Sequence, residues 1–267
     1  MSSLKPWPYT LALVTGASSG LGRALAIEIA KRGTPLILTG RNKEELELTA
    51  RMLSVKTTVL DLDLNIPQER QKLVALIQEQ APDLILNNAG LGHYGDALTT
   101  TTAEQLEIVE VNITSLVEIT LEASRTLVKK RKPGTILNVA SAAAFFPYPT
   151  LATYAASKAF VLQFSKALDV ELFSHGIRVL TSCPGQTATS FRRRAGGNIP
   201  QKQDAWTMRS QDVASCILKQ IEDQASVRII DWRYRLWVTL ARFVPKSILM
   251  KFLKESIRKR HHRNTIV

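Results

Sequence analysis

Residues 11–33, LALVTGASSGLGRALAIEIAKRG, decide the fold. Residues 11–15 are a short run with the character of a strand buried on both faces. From Arg23 to Lys31 the apolar residues recur at helical spacing, and Gly33 supplies a stop. Between them lies the turn Gly16-Ala17-Ser18-Ser19-Gly20-Leu21-Gly22. Its glycines permit a tight bend and a close approach of backbone to ligand. A helix that starts there offers N–H donors and the positive end of its dipole, which suits a pyrophosphate. The spacing is G-x-x-x-G-x-G, distinct from the G-x-G-x-x-G dinucleotide fingerprint. A purely structural turn has the same composition, so the rest of the chain must decide.

The alternation continues. PLILTG (35–40), TTVLDLDL (57–64), DLILNNAG (83–90), GTILNVAS (134–141) and IRVLTSCPG (177–185) read as strands. NKEELELTARML (42–53), PQERQKLVALIQEQ (67–80), a long stretch over roughly 103–130 and residues 152–174 read as helices. Continuous apolar strands alternating with helices predict an α/β fold, a doubly wound parallel sheet with helices on both faces. Ligands bind such sheets beyond the carboxyl ends of the strands, where the strand order reverses. Every chemical motif below falls at such an end.

The 267 residues suit one large domain, and the 45% apolar and 22% charged composition excludes a disordered chain. Cys183 and Cys216 match no ligand or redox spacing, and the four histidines show no metal-ligand pattern, so no metal site is expected. The cysteines, the absence of a leader in residues 1–9 and the absence of a long apolar span predict a cytoplasmic protein. Charge is uneven: residues 228–267 carry 11 Lys/Arg against 2 Asp/Glu, a net +9 of the chain's +12. The charge therefore divides the chain into a main α/β domain over 1–227 and a basic, partly amphipathic helical extension over 228–267.

Tyr154 and Lys158 stand four apart in helix-favouring sequence, so they share a face. An ammonium beside a phenol favours the phenolate and would lower the tyrosine pKa toward a usable range. Ser141 ends a strand and can offer its hydroxyl there. After the second strand comes Arg41, where an NAD-binding fold usually has an acid for the ribose 2′-OH. Its fork of donors suits a 2′-phosphate, with Ser18 as support, so the expected cofactor is NADP(H) in preference to NAD(H). Asp61, with Asp63 as near competitor, can accept from the adenine amino group. Asn88-Ala89-Gly90 lets a cofactor lie against the backbone and ties its loop to neighbouring strands.

In their order and spacing, TGASSGLG, NNAG, Asn112, Ser141, Tyr154-Ala-Ala-Ser-Lys158 and Pro184-Gly185 resemble the short-chain dehydrogenase/reductase family over roughly residues 9–190. The resemblance implies a Rossmann-type fold and NAD(P)-dependent carbonyl reduction or alcohol oxidation. It implies a tetrad of Asn112, Ser141, Tyr154 and Lys158, with cofactor contacts from Gly16, Ser18, Ser19, Gly20, Leu21, Gly22, Asn88, Ala89 and Gly90. Pro184, Gly185 and Thr189 resemble the nicotinamide-side loop, with Thr189 at the carboxamide. One departure is Ser19, which in many NADP-preferring members is basic. On this reading Tyr154 moves the proton, Ser141 hydrogen-bonds the reacting oxygen and Lys158 lowers the Tyr154 pKa and holds the ribose. Asn112 anchors a water that links Lys158 to solvent.

The substrate is expected to be a hydrophobic carbonyl or alcohol compound. His93 and Tyr94 are candidate pocket residues, as are Phe145, Phe146, Pro147 and Tyr148. Residues 186–207 are expected to form a substrate lid, with Arg192, Arg193 and Arg194 as a solvated charge run. The chain is expected to form a homodimer or homotetramer. Residues 232–263 offer a possible peripheral membrane contact through apolar positions interleaved with lysines and arginines. They could equally cap the pocket or pack between subunits. No recognition motif suggests nucleic acid. The competing classes are a non-catalytic dinucleotide-binding protein and a membrane-surface interaction protein on the same fold.

Overall fold

The computed structural model describes residues 7–189, 191, 195–196 and 207–241. Strand β1 (Ala12–Thr15) leads through the glycine turn into α1 (Gly20–Ala30), and β2 (Leu36–Gly40) leads into α2 (Lys43–Arg51). Then come β3 (Thr57–Asp61), α3 (Pro67–Gln80) and β4 (Leu84–Asn87). Helix α4 (Thr102–Val109) runs through a π-helical turn, Glu110–Thr114, into α5 (Ser115–Lys129), and β5 (Gly134–Val139) follows. Next are α6 (Ala152–Leu172), β6 (Ile177–Cys183) and a small ladder of β7 (Thr187–Ala188) with β8 (Met208–Arg209). Helix α7 (Ser210–Asp223), β9 (Val227–Ile229) and α8 (Trp232–Ala241) complete the described chain.

The main sheet is parallel throughout its described pairs, in the order β3-β2-β1-β4-β5-β6-β9. Strand order therefore reverses between β1 and β4, and the glycine turn and the Asn88–Gly90 loop leave that point side by side. Alternation along the strands feeds two cores. Val14, Leu38 and Leu86 pack with Leu25 and Ile29 of α1 and Val213, Ile217 and Ile221 of α7. Leu13, Ile37 and Ile85 pack on the other face with Leu73 and Ile77 of α3 and Ile119 and Leu127 of α5. Both faces are covered, as the continuous apolar strands predict, and the fold is the expected Rossmann-type α/β architecture.

The structure differs from the sequence reading in three places. The long helix contains a π turn, and Asn112 sits in it, fully buried. The division at 227/228 falls inside β9, which pairs with β6, so the start of the basic extension belongs to the main sheet. Helix α7 occupies a stretch for which no element was assigned, although Val213, Ile217 and Ile221 recur at helical spacing. The amphipathic pattern at Ile248–Ile257 lies outside the described residues, as do Arg192, Arg193 and Arg194.

The turn depends on Gly22. A Cβ there would overlap the Gly16 carbonyl oxygen and stand 2.6 Å from Asn88 Nδ2. Neither backbone nor amide can yield without separating α1 from the strand ends. Gly22→Ala should lower unfolding free energy by about 1–3 kcal/mol, as overpacking does. Denaturant unfolding checks it, and a variant as stable as the parent contradicts the packing assigned to this turn.

Candidate active site

A cavity of about 510 Å³ lies along the carboxyl ends of the strands. At one end Gly16, Ser18, Ser19, Gly20, Leu21 and Gly22 line it. Gly16 and Gly20 have φ of +67° and +56°, a region that favours glycine. Side chains on them would press on Ala89 Cα at 2.9 Å and Thr189 Cγ2 at 2.9 Å. The turn is thus a bare backbone cradle, open at a helix N-terminus, and it fits a pyrophosphate. Asn88 Nδ2 donates to the carbonyls of Thr15 (3.0 Å) and Gly16 (3.3 Å), while Asn88 N and Ala89 N donate to Thr15 Oγ1. The loop is tied to β1 as the amides predict.

Arg41 lines the same end and pairs with Glu107 (3.2 Å) and Asp63 (3.9 Å). The expectation for Asp61 needs correction. Asp61 pairs with Gly40 at the end of the β2–β3 ladder, points to solvent and does not line the cavity. Asp63, two residues on, does line it. His93 also lies off the cavity, with Nε2 3.8 Å from Glu107, whereas Tyr94 is on it.

At the other end Ser141, just beyond β5, meets Tyr154 and Lys158 on α6. Ser141 and Tyr154 line the cavity together, and the Ser141 hydroxyl accepts from Ala143 N (3.1 Å). Lys158 is 4% exposed, donates to the Val139 carbonyl (2.9 Å) and has Nζ 5.8 Å from the Tyr154 ring centre. Pro184, Gly185 and Thr189 line the wall that faces the glycine turn. Asn112 is placed differently from the rest, behind the cavity. Its Oδ1 accepts from Leu91 N (2.8 Å), and its Nδ2 donates to Leu91 O (2.9 Å) and Ser157 Oγ (2.9 Å). Both amide N–H groups are therefore engaged by protein. The side chain fixes the loop after Gly90.

The electrostatics overturn one expectation. Burial pushes the Tyr154 phenol up to about 12, and the nearby Ser141 hydroxyl only partly offsets this. Burial also pushes Lys158 down to about 8, with a small opposing contribution from Cys183. The lysine does not bring the phenol into the neutral range, because desolvation outweighs an ammonium that is turned toward Val139. Tyr154 is thus held protonated.

Of the four pocket-wall candidates after Ser141, only Tyr148 lines this cavity. Phe145, Phe146 and Pro147 face a separate open groove with Ala152, Ala156 and Ala159. Two wall residues were missed. Phe191 stacks obliquely on Tyr154 at 5.4 Å between ring centres. Tyr234 of α8 lies so close over Gly185 that a Cβ there would overlap its ring. An aromatic residue in a presumed lid and another in a presumed tail gave no signal beyond residue type. The Ala195 carbonyl accepts from Tyr94 N (2.7 Å), which joins the expected lid segment to the loop after Gly90.

A family model described as short chain dehydrogenase matches residues 10–198. Among curated proteins, the chain is 36% identical to the serine 3-dehydrogenase of Agrobacterium fabrum, over 70% of this chain and 76% of that protein. It is 35% identical to the very-long-chain 3-oxoacyl-CoA reductase of Pyrenophora tritici-repentis, over 72% of this chain but only 59% of that longer protein. Among solved structures, a short-chain dehydrogenase from Sphingobium yanoikuyae in complex with NADPH superposes with a TM-score of 0.80 at 28% identity. That match covers 91% of this chain and 95% of that one. The bulky-bulky ketone specific alcohol dehydrogenase of Comamonas testosteroni gives 0.76 at 25% identity, over 93% and 95%.

Lys158 has a signature in stability. Its folded pKa of about 8 lies below the unfolded value near 10.5. Between these values the unfolded chain binds more protons, so the lysine's contribution rises with pH and is lost as pH falls through about 8. From pH 7 to 10 the unfolding free energy of the parent should gain about 2 kcal/mol on that of Lys158→Met. Parallel pH profiles for the two proteins would contradict the burial assigned to this amine.

Proposed function

The chain belongs to the short-chain dehydrogenase family, and from that premise we propose that it is an NADP(H)-dependent oxidoreductase acting on the carbonyl or alcohol of a hydrophobic small molecule. The observation that carries the proposal is the protonated Tyr154 phenol, with Ser141 beside it in one cavity with the bare glycine cradle. A nicotinamide cofactor supplies a hydride donor or acceptor when bound. In this reading the Gly16–Gly22 turn holds its pyrophosphate, and Arg41 with Ser18 holds a 2′-phosphate. Asp63 accepts from the adenine amino group in place of Asp61. Asn88, Ala89 and Gly90 bound the cofactor on one side, with Pro184, Gly185 and Thr189 at the nicotinamide.

Tyr154, being neutral, is in the state that donates a proton to the substrate oxygen in carbonyl reduction. Ser141 hydrogen-bonds the same oxygen and stabilises the negative charge that develops there. Below about pH 8 the Lys158 ammonium is charged and favours the phenolate that proton donation leaves behind. Lys158 also holds the nicotinamide ribose. Asn112 is a positioning residue that keeps Leu91 and the loop beneath the cofactor in place. Leu91, Tyr94, Leu151 and Phe191 make the wall near Tyr154 apolar, which supports a hydrophobic substrate. Relatives named for very-long-chain 3-oxoacyl-CoA and for bulky ketones support the same class. Exposed Phe160 and Val170 on α6 support assembly as a homodimer or homotetramer. The unpaired Cys183 and Cys216 suit a reducing, cytoplasmic setting.

Two substitutions test the roles separately. Tyr154→Phe should abolish NADPH-dependent carbonyl reduction, by a factor of about 100 or more in kcat, while NADPH still binds. Retained turnover in steady-state assays would remove Tyr154 as the proton donor. Arg41→Ala should raise KM for NADPH about tenfold or more and leave KM for NADH nearly unchanged. Equal changes for the two cofactors would refute the 2′-phosphate reading.

A further inference from the structure

Helix α8 presents two unlike faces. Val238 is buried (4% exposed), and Tyr234 lies over Gly185 and lines the catalytic cavity. On the other side Trp232, Leu236 and Leu240 recur every four residues, with Trp237 beside them, and all four are at least half exposed. Isolated exposed apolar residues are ordinary, but four on one face of a ten-residue helix form a patch. Two are tryptophans, which favour the boundary between hydrocarbon and headgroups. The helix also lies in the segment that holds +9 of the chain's net charge, whereas the preceding 227 residues hold only +3. Among the described residues no helix is long and apolar enough to cross a membrane, so any membrane contact made by α8 lies along the surface.

We propose that α8 seats the protein on an anionic lipid bilayer through Trp232, Leu236, Trp237 and Leu240, with Tyr234 on its opposite face building the cavity wall. The charge decides the occupant. A second copy of this chain, at a net +12, adds like charge, whereas anionic headgroups attract a basic protein. One helix diameter, about 10 Å, then separates the bilayer surface from the cavity.

The test uses the full chain with phosphatidylcholine vesicles, with and without phosphatidylglycerol. The parent should sediment with the anionic vesicles and be released by high salt. The variant Trp232→Ser/Leu236→Gln/Trp237→Ser/Leu240→Gln should bind them about tenfold or more weakly. None of these four residues lines the cavity, so the variant should keep its turnover of a small water-soluble carbonyl. Should the variant fail to fold, tryptophan fluorescence of the parent decides, because brominated lipids must quench it. A parent that ignores anionic vesicles, a folded variant that binds equally well, or fluorescence that is not quenched would overturn the proposal. So would a patch that mediates only self-association, seen as a change in mass without vesicle binding. A parent that binds the anionic vesicles but turns over no carbonyl compound would instead refute the enzymatic reading alone.

Discussion

The side-chain amide of Asn88 holds the strand reversal together. It bonds the carbonyls of Thr15 and Gly16 just where α1 leans on the same backbone through Gly22. Strand β1, the helix that directly follows it and a loop 73 residues away in the chain thus meet with no room for a Cβ, and the result is an exposed backbone surface. Everything chemical is arranged relative to that surface. Asn112 repeats the device one layer back, clasping Leu91 from within a π turn and reaching Ser157 on α6. The loop after β4 is therefore tied to β1 through Asn88 and to the α4–α5 helix through Asn112, which also bonds Ser157 on the tyrosine helix.

Burial, more than proximity of charge, sets the chemical state of the site. The same desolvation acts in opposite senses on Tyr154 and Lys158, because one loses and the other gains a proton on becoming charged. The phenol is held neutral and the amine is brought close to neutrality. A neutral phenol backed by an ammonium that is charged below about pH 8 is arranged to give up a proton and then to be compensated for it. Ser141 shares the cavity with that phenol, where its hydroxyl can stabilise the oxygen that receives the proton.

Much of this was legible in the residues. Unbroken apolar strands alternating with periodic helices define a doubly wound sheet, and the glycine turn, Asn88–Gly90, Ser141 and Tyr154–Lys158 fall at strand ends for a physical reason. What escaped the pattern is equally specific. A π turn adds a residue without disturbing apolar spacing enough to be noticed, so Asn112 was taken for an ordinary helical position. Whether Asp61 or Asp63 faces the cavity depends on where the β2–β3 ladder ends, which side-chain pattern does not report. Neighbouring charge is visible in a YxxxK spacing, but desolvation is not, and desolvation prevailed. Phe191 and Tyr234 reach the site only through tertiary packing. The periodicity of α7 was present and passed over.

The central claim is that hydride moves between a nicotinamide and a carbonyl carbon while Tyr154 supplies the proton. Transfer of isotope tests this most directly: NADPH deuterated at C4 is incubated with an apolar ketone, and the alcohol formed is examined by mass spectrometry and NMR. The account predicts one deuterium on the carbinol carbon, delivered to a single face. Deuterium that stays in the cofactor, with the cofactor bound and the ketone unchanged across a panel of apolar carbonyl compounds, would contradict it.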